Sequence, residues 1–202
     1  MDIDPNDLIE TARSASAQHE VRSARLNAAV AITVAVLATF MGICKVKDDN
    51  IVQAMQQAQA DKLDHWGFYQ ARNLRQEIAE ATLTQLDLAR LSAPASSAAA
   101  YDAAITRYRT AAQDQSRKKD ELKLLAEQDQ KNYDALNYRD DQFDLSDALI
   151  AVAIAMLAVT ALTRLWALFW ASLIPTVLGI LMGVAGLAAL EIHPDALMRL
   201  LS

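Results

Sequence analysis

Three groups of residues in this chain have types and spacings that could do chemistry. Asp61 and His65 stand one helical turn apart, Asp140, Asp141 and Asp144 crowd a short stretch, and Cys44 closes an apolar run. Asp61 and His65 could share a metal, but two ligands are too few for a closed site of about four. A solvated helical pair is the simpler reading. The carboxylates at 140, 141 and 144 could hold a divalent cation if their oxygens converged. The plainer expectation is a set of screened ion pairs with Lys45 and Lys47, each contributing at most about 1 kcal/mol. Cys44 has no second cysteine with which to bridge or share a metal, and is expected to pack as a small hydrophobe.

The remaining signals for catalysis are weak. His19, His65 and His193 lie in separate regions, and the chain has no glycine-rich phosphate loop, metalloprotease helix motif or Gly-x-Ser-x-Gly elbow. An enzyme is not expected, and no catalytic residue, cofactor or metal is assigned. A net charge of -6 without clustered Lys and Arg argues against nucleic acid as a partner.

The elements that would position these residues follow from composition. The chain is 53% hydrophobic and 22% charged, with five Gly and four Pro among 202 residues, a balance rich in helix formers and poor in turns. The fold class expected is all-α. Apolar residues are strongly segregated. After an N-terminal polar segment over 1–25, residues 26–44 read "LNAAVAITVAVLATFMGIC", nineteen residues without a formal charge. That matches the roughly 20 residues of helix needed to cross a bilayer. The acidic start, with Asp2, Asp4, Asp7 and Glu10, is unlike the short basic start of a signal peptide, so a retained membrane helix is expected. Residues 145–163 and 165–190 form two further spans, because together they are about twice the length one crossing requires. Arg164 and the nearby Trp166, Phe169 and Trp170 then sit at one interface, where Trp is favoured. A buried helical hairpin in a soluble protein is the alternative.

Small residues recur along these spans. Ala28, Ala31, Ala35, Ala38 and Gly42 follow steps of three and four, as do Ala148, Ala151, Ala155 and Ala158, while Gly179 and Gly183 form a small-xxx-small pair. Ala31, Ala35, Ala38, Gly42, Ala151, Ala155, Gly179 and Gly183 are the candidate helix-packing positions, since close approach across small residues drives association in lipid. Thr39, Thr160 and Thr163 are read as the main polar side chains of the spans, with no ionisable group deep within them.

Residues 45–144 lie between the first and second spans and are helix-forming on either side of "SAPASSAA", residues 92–99. Pro94 and the serines there predict a turn. From Tyr101 to Phe143, steps of four and three land on Tyr101, Ile105, Tyr108, Ala112, Gln115, Lys119, Leu122, Ala126, Asp129, Tyr133, Leu136, Asp140 and Phe143. That spacing predicts a coiled-coil-like seam, which Lys119 and Asp129 interrupt. Leu74, Ile78, Ala81 and Leu88 keep a similar phase and are expected to face the returning arm. The result is a long antiparallel helical hairpin outside the bilayer, each arm reaching roughly 65 Å at about 1.5 Å per residue. Trp66 and Tyr69 share a helix face and should pack on the returning arm, whereas Phe68 points away. The three aromatics are the candidate interaction residues, with burial inside one hairpin, an oligomer contact or a small-ligand site as the three readings.

The order of an N-terminal span, the segment "QAQADKLDHWGFYQARNLRQ", an Ala-rich helical middle and a C-terminal pair of spans resembles the domain-of-unknown-function 4337 family of bacterial membrane proteins. The most specific element is Trp66, Tyr69, Gln70 and Ala71 in "WGFYQAR", where members carry a similar W-x-x-Y-Q-A-K run and this chain has Arg72. That family has no assigned activity, so the resemblance implies topology and adds no chemistry.

Two roles follow as expectations. The first is a membrane-anchored structural or interaction protein that self-associates or holds an unknown protein partner; the second is a channel or transport-associated subunit. The partners expected are the lipid bilayer and further copies of the chain. Arg13, Arg22, Arg25 and Arg164, set against Arg199 of the other short segment, place the N-terminus in the cytoplasm of a multi-pass protein of the bacterial inner membrane and the hairpin on the far side, while Lys45 and Lys47 pull the other way. The tail over 191–202 is expected to form a short amphipathic surface helix, with Leu197, Leu200 and Leu201 towards lipid.

Overall fold

A computed structural model describes residues 5–190. The tail over 191–202, with His193, and residues 1–4 lie outside the described residues. The described chain is all-α: helix α1 spans Pro5–Leu91, a 3-10 turn covers Ala95–Ser97, and helices α2 and α3 span Ala98–Thr163 and Trp166–Ala188. The prolines explain much of this. Pro5 opens α1 at a position where a missing N–H costs nothing, Pro94 occupies the break between α1 and α2, and between them no proline interrupts 87 residues of helix. Each of the three helices carries a stretch long and apolar enough to cross a membrane, by length and composition.

The chain divides into two compact units, residues 1–51 with 138–202 and residues 52–137. Neither boundary coincides with a helix end. They fall at 51/52 within α1 and at 137/138 within α2.

In the first unit, Leu26, Val30 and Leu37 of α1 meet Ile150, Ala153 and Leu157 of α2 and Phe169 of α3 in one buried cluster. Thr163 ends α2, and the reversal into α3 passes through Arg164 in the left-handed region at φ 57. Its N–H donates to the Thr160 carbonyl at 2.8 Å, closing the last turn of α2. At the other end of α3, Ala189 is also left-handed, at φ 53. The N–H groups of Ala189 and Leu190 return to the carbonyls of Gly186 and Ala185, the bond pattern of a Schellman motif. Arg139 of α2 reaches this end and donates to the Gly186 carbonyl from Nη2 at 3.0 Å, and Gln142 Nε2 donates to the Leu190 carbonyl at 2.8 Å. A cation at a helix C-terminus meets the negative end of the helix dipole.

In the second unit the contacts between α1 and α2 run in opposite chain order. Lys62 Nζ donates to Gln130 Oε1 at 2.7 Å, His65 Nδ1 lies 2.6 Å from Asp129 Oδ2, Arg72 donates to Gln115 at 3.0 Å, and Lys119 donates to Asn73 at 3.1 Å. Arg90 pairs with Asp102 at 2.9 Å beside the turn. The α2 column expected to form a seam is the covered one: Ile105, Ala112 and Ala126 are buried, and Tyr108, Gln115, Lys119, Leu122, Asp129 and Tyr133 are partly covered. Lys119 and Asp129 do not break it, because each has a polar partner on α1.

The α1 stripe differs from expectation. Leu74, Ile78, Ala81 and Leu88 face outward, with Leu74 58% and Leu88 63% exposed. The column that meets α2 is Met55, Ala58, Lys62, His65, Tyr69, Arg72, Gln76 and Ala79. It also advances by four and three, but Lys62, His65 and Arg72 in it bond to side chains of α2, so hydrophobicity alone selects the wrong face.

Candidate functional site

The chemistry-bearing residues converge in the first unit, where α1 leaves its apolar run and α2 approaches its own. Continuing the inward column of α1 past Leu37 by threes and fours brings Cys44, then Asp48, then Ile51 to the covered face. Cys44 packs there as the small buried side chain expected. Asp48 is the departure: a carboxylate at a core position, only 4% exposed. Lys45 Nζ donates to Asp48 Oδ2 at 2.8 Å and approaches Asp49 at 3.6 Å. Lys45 therefore serves α1 itself in its direct ion pairs, and not the α2 carboxylates expected to receive it. The Asp48 bond holds the Lys45 ammonium above its ordinary pKa.

The other oxygen, Asp48 Oδ1, is buried and has no donor. From α2 the carboxyl of Asp140 comes within hydrogen-bond reach of the Asp48 side chain; Asp144 and Asp141 add their charge to Asp140, and Asp48 adds its own to Asp144 and Asp147. Desolvation, the bond to Asp48 and the charges of its neighbours push Asp140 up to about 6. Asp144 is pushed up as well, first by desolvation and then by the charge of Asp48. Two carboxylates at such range cannot both ionise without a large penalty. Among the described residues no group of three or more His, Cys, Asp or Glu side chains is arranged to hold a metal ion. What this arrangement can hold is a proton between Asp48 and Asp140. Asp48 was missed as a site residue, although its place in the column Cys44, Asp48, Ile51, Met55 marks it as inward-facing.

The Asp61 and His65 pair does not form. His65 turns to Asp129 on α2, and Asp61 Oδ1 accepts from Gln57 Nε2 at 2.8 Å. Of the three aromatics, Trp66 and Tyr69 are partly covered and meet edge to face with ring centroids 5.2 Å apart. Lys119 Nζ stands 6.0 Å from the Tyr69 ring, at the outer limit of a cation–π contact. Phe68 is 60% exposed and lies apart from them.

The small residues separate into two sets. Gly179 and Gly183 are buried where α3 crosses its neighbours. A Cβ at Gly179 would sit 2.8 Å from Ile150 Cγ1, and one at Gly183 would sit 2.7 Å from the Phe40 ring. Ser146 uses the same close approach to donate to the Gly179 carbonyl at 2.8 Å. Ala31, Ala35, Ala38, Gly42, Ala151 and Ala155 are instead exposed, and a Cβ at Gly42 would meet no neighbouring part of the chain within 4 Å. The polar residues of the spans also extend beyond the threonines singled out from sequence. Ser146, Ser172 and Thr176 are buried, and Ser172 and Thr176 donate to carbonyls of their own helix. At the opposite end of this unit, Arg22 and Arg164 line one cavity with Trp166.

Compared with known proteins, the chain matches one family model, described as a domain of unknown function (DUF4337), over residues 26–189. No curated protein and no solved structure matches it.

Proposed function

We propose, for a chain that belongs to the DUF4337 family, a non-enzymatic role as a membrane-anchored interaction protein that self-associates. The three apolar stretches cross the bilayer, and residues 52–137 form an antiparallel, coiled-coil-like hairpin outside it. The occupant of its free face is a second copy. The observation that carries this reading is an uncharged column on the outer face of α1, repeating every seven residues through Ala60, Gly67, Leu74, Ala81 and Leu88. An uncharged position recurring every seven residues keeps one stripe of the helix turned towards a supercoiled partner along its length, and the intramolecular partner occupies the opposite face. Two chains anchored in one bilayer run parallel, so a two-fold axis along the membrane normal would bring Leu74 to Leu74 and Leu88 to Leu88.

The large side chains of this face, Leu63, Leu74, Ile78 and Leu88, would bury on the order of 800 Å² over two chains, short of the roughly 1,200 Å² of a stable interface. The outward alanine faces of the spans, Ala31, Ala35 and Ala38 on α1 with Ala151 and Ala155 on α2, would supply the remainder through close helix approach. Orientation follows from charge. Arg22, Arg25 and Arg164 at one end of the spans favour a cytoplasmic N-terminus, with the hairpin on the other side of the inner membrane. Light scattering of the detergent-solubilised chain tests the assembly: L74D with L88D should reduce the protein mass to that of one chain. An unchanged mass would reject this face as the contact. Reagent accessibility of a cysteine placed at Ser96, in a chain with Cys44 replaced, tests the sidedness.

A further inference from the structure

Asp48 Oδ1 is buried without a donor, and a protonated Asp140 carboxyl, within hydrogen-bond reach of the Asp48 side chain, would supply one. We propose that Asp48 and Asp140 form a proton-binding pair, in which the Asp140 carboxyl donates its proton to Asp48 Oδ1 while Asp48 Oδ2 keeps its bond to Lys45. The geometry imposes the stoichiometry. Asp48 Oδ2 is taken by Lys45 at 2.8 Å, Oδ1 is enclosed and has no donor, and the side chain is 6% exposed, which leaves little room for water to fill that role. An Asp140 in hydrogen-bond reach of Asp48 repels that carboxylate when ionised and bonds to it when protonated.

The charges around the pair come from each helix. On α1 they are Lys45 and Asp49, with the thiol of Cys44 a turn away; on α2 they are Arg139, Asp141, Asp144 and Asp147; and α3 has no titratable side chain between Trp166 and Ala188. Arg139 is engaged with the Gly186 carbonyl. Lys45 is thus the cation bonded directly to the pair, and the acidic surplus from α2 favours uptake of one proton. The proton binds where α1 and α2 both enter their apolar runs, so its release places opposed negative charges across that contact.

Infrared or carbon NMR spectra of the full chain labelled with carboxyl-13C aspartate, recorded in detergent from pH 4 to 8, read the pair directly. One protonated carboxyl should persist to a midpoint near 6, as the shift at Asp140 indicates. D140N should remove that signal. D48N, which deletes the facing charge, should lower the midpoint by at least one pH unit, and D144N should leave the signal in place. Far-UV circular dichroism of each variant shows that helix content is kept, and if D140N does not fold, the D48N shift decides alone. Full ionisation of every aspartate by pH 5 would overturn the proposal, and so would a midpoint near 6 that survives in D140N or does not move in D48N. Loss of the protonated signal at pH 5.5 on adding millimolar calcium or magnesium would also overturn it, by assigning the pocket to a metal ion.

Discussion

Replacing Gly179 by Ala should destabilise the chain by about 2 kcal/mol, although the same change in an open helix is stabilising. The added methyl would lie 2.8 Å from Ile150 Cγ1 and 3.2 Å from Leu149 Cβ, and 3.3 Å from the backbone nitrogen of Ile150, so turning one side chain cannot relieve it. Overpacking of this kind costs about 1 to 3 kcal/mol. Moving α3 away also stretches the bond from Ser146 to the Gly179 carbonyl, worth roughly 0.6 kcal/mol for a hydrogen bond in a membrane. The alanine returns about 0.5 to 1 kcal/mol through lower backbone entropy in the unfolded chain. At Gly42 and Gly67 no neighbouring part of the same chain lies within 4 Å of the added methyl, so in the monomeric L74D and L88D background only that gain of about 0.5 to 1 kcal/mol remains. Equilibrium unfolding in mixed micelles, followed by circular dichroism, should therefore move the midpoint down for G179A and up for G67A. A G179A variant as stable as G67A would refute the close crossing of α3 on α2. A loss of stability in G42A would place a second helix against the outward face of α1.

Further outcomes can be checked with the same unfolding assay. Because the folded-state pKa of Asp140 is raised from 3.8 to about 6, its contribution to stability is fully present below about 3.8 and is lost as pH rises through about 6. At about 1.4 kcal/mol per pH unit this is at most about 3 kcal/mol, and solvent access to the outer part of the carboxyl roughly halves it; D140N should flatten the profile between pH 4 and 7. Ala189→Gly should raise stability by roughly 1 kcal/mol, since glycine occupies the left-handed position of a Schellman cap without strain from a Cβ. His65→Ala and Asp129→Ala should each cost roughly 1 kcal/mol, and the double variant less than their sum, because the two share one hydrogen bond; strict additivity in the double-mutant cycle would deny the contact.

Local chemistry made several features legible in the sequence alone. Uncharged runs of bilayer length, sparse glycine and the single proline-serine break at 92–99 required long helices with one reversal between Leu91 and Ala98 and another near Arg164. The covered column of α2, from Ile105 to Tyr133, could also be read, because its period is set by helix geometry and its buried members are mainly apolar. The matching face of α1 could not. His65 and Arg72 are poor core residues until α2 supplies their partners, and the leucines at 74 and 88 therefore look like the better seam although they point outward. Likewise, small residues recur on all three spans, but only the approach of α2 and α1 to α3 distinguishes Gly179 and Gly183 from the outward alanines. Asp48 could be placed on the inner column from its spacing, whereas its meaning depends on Asp140, some ninety residues away in sequence, arriving within hydrogen-bond reach of it. Period and hydrophobicity are properties of one helix, while the partner of a buried charge is a property of two.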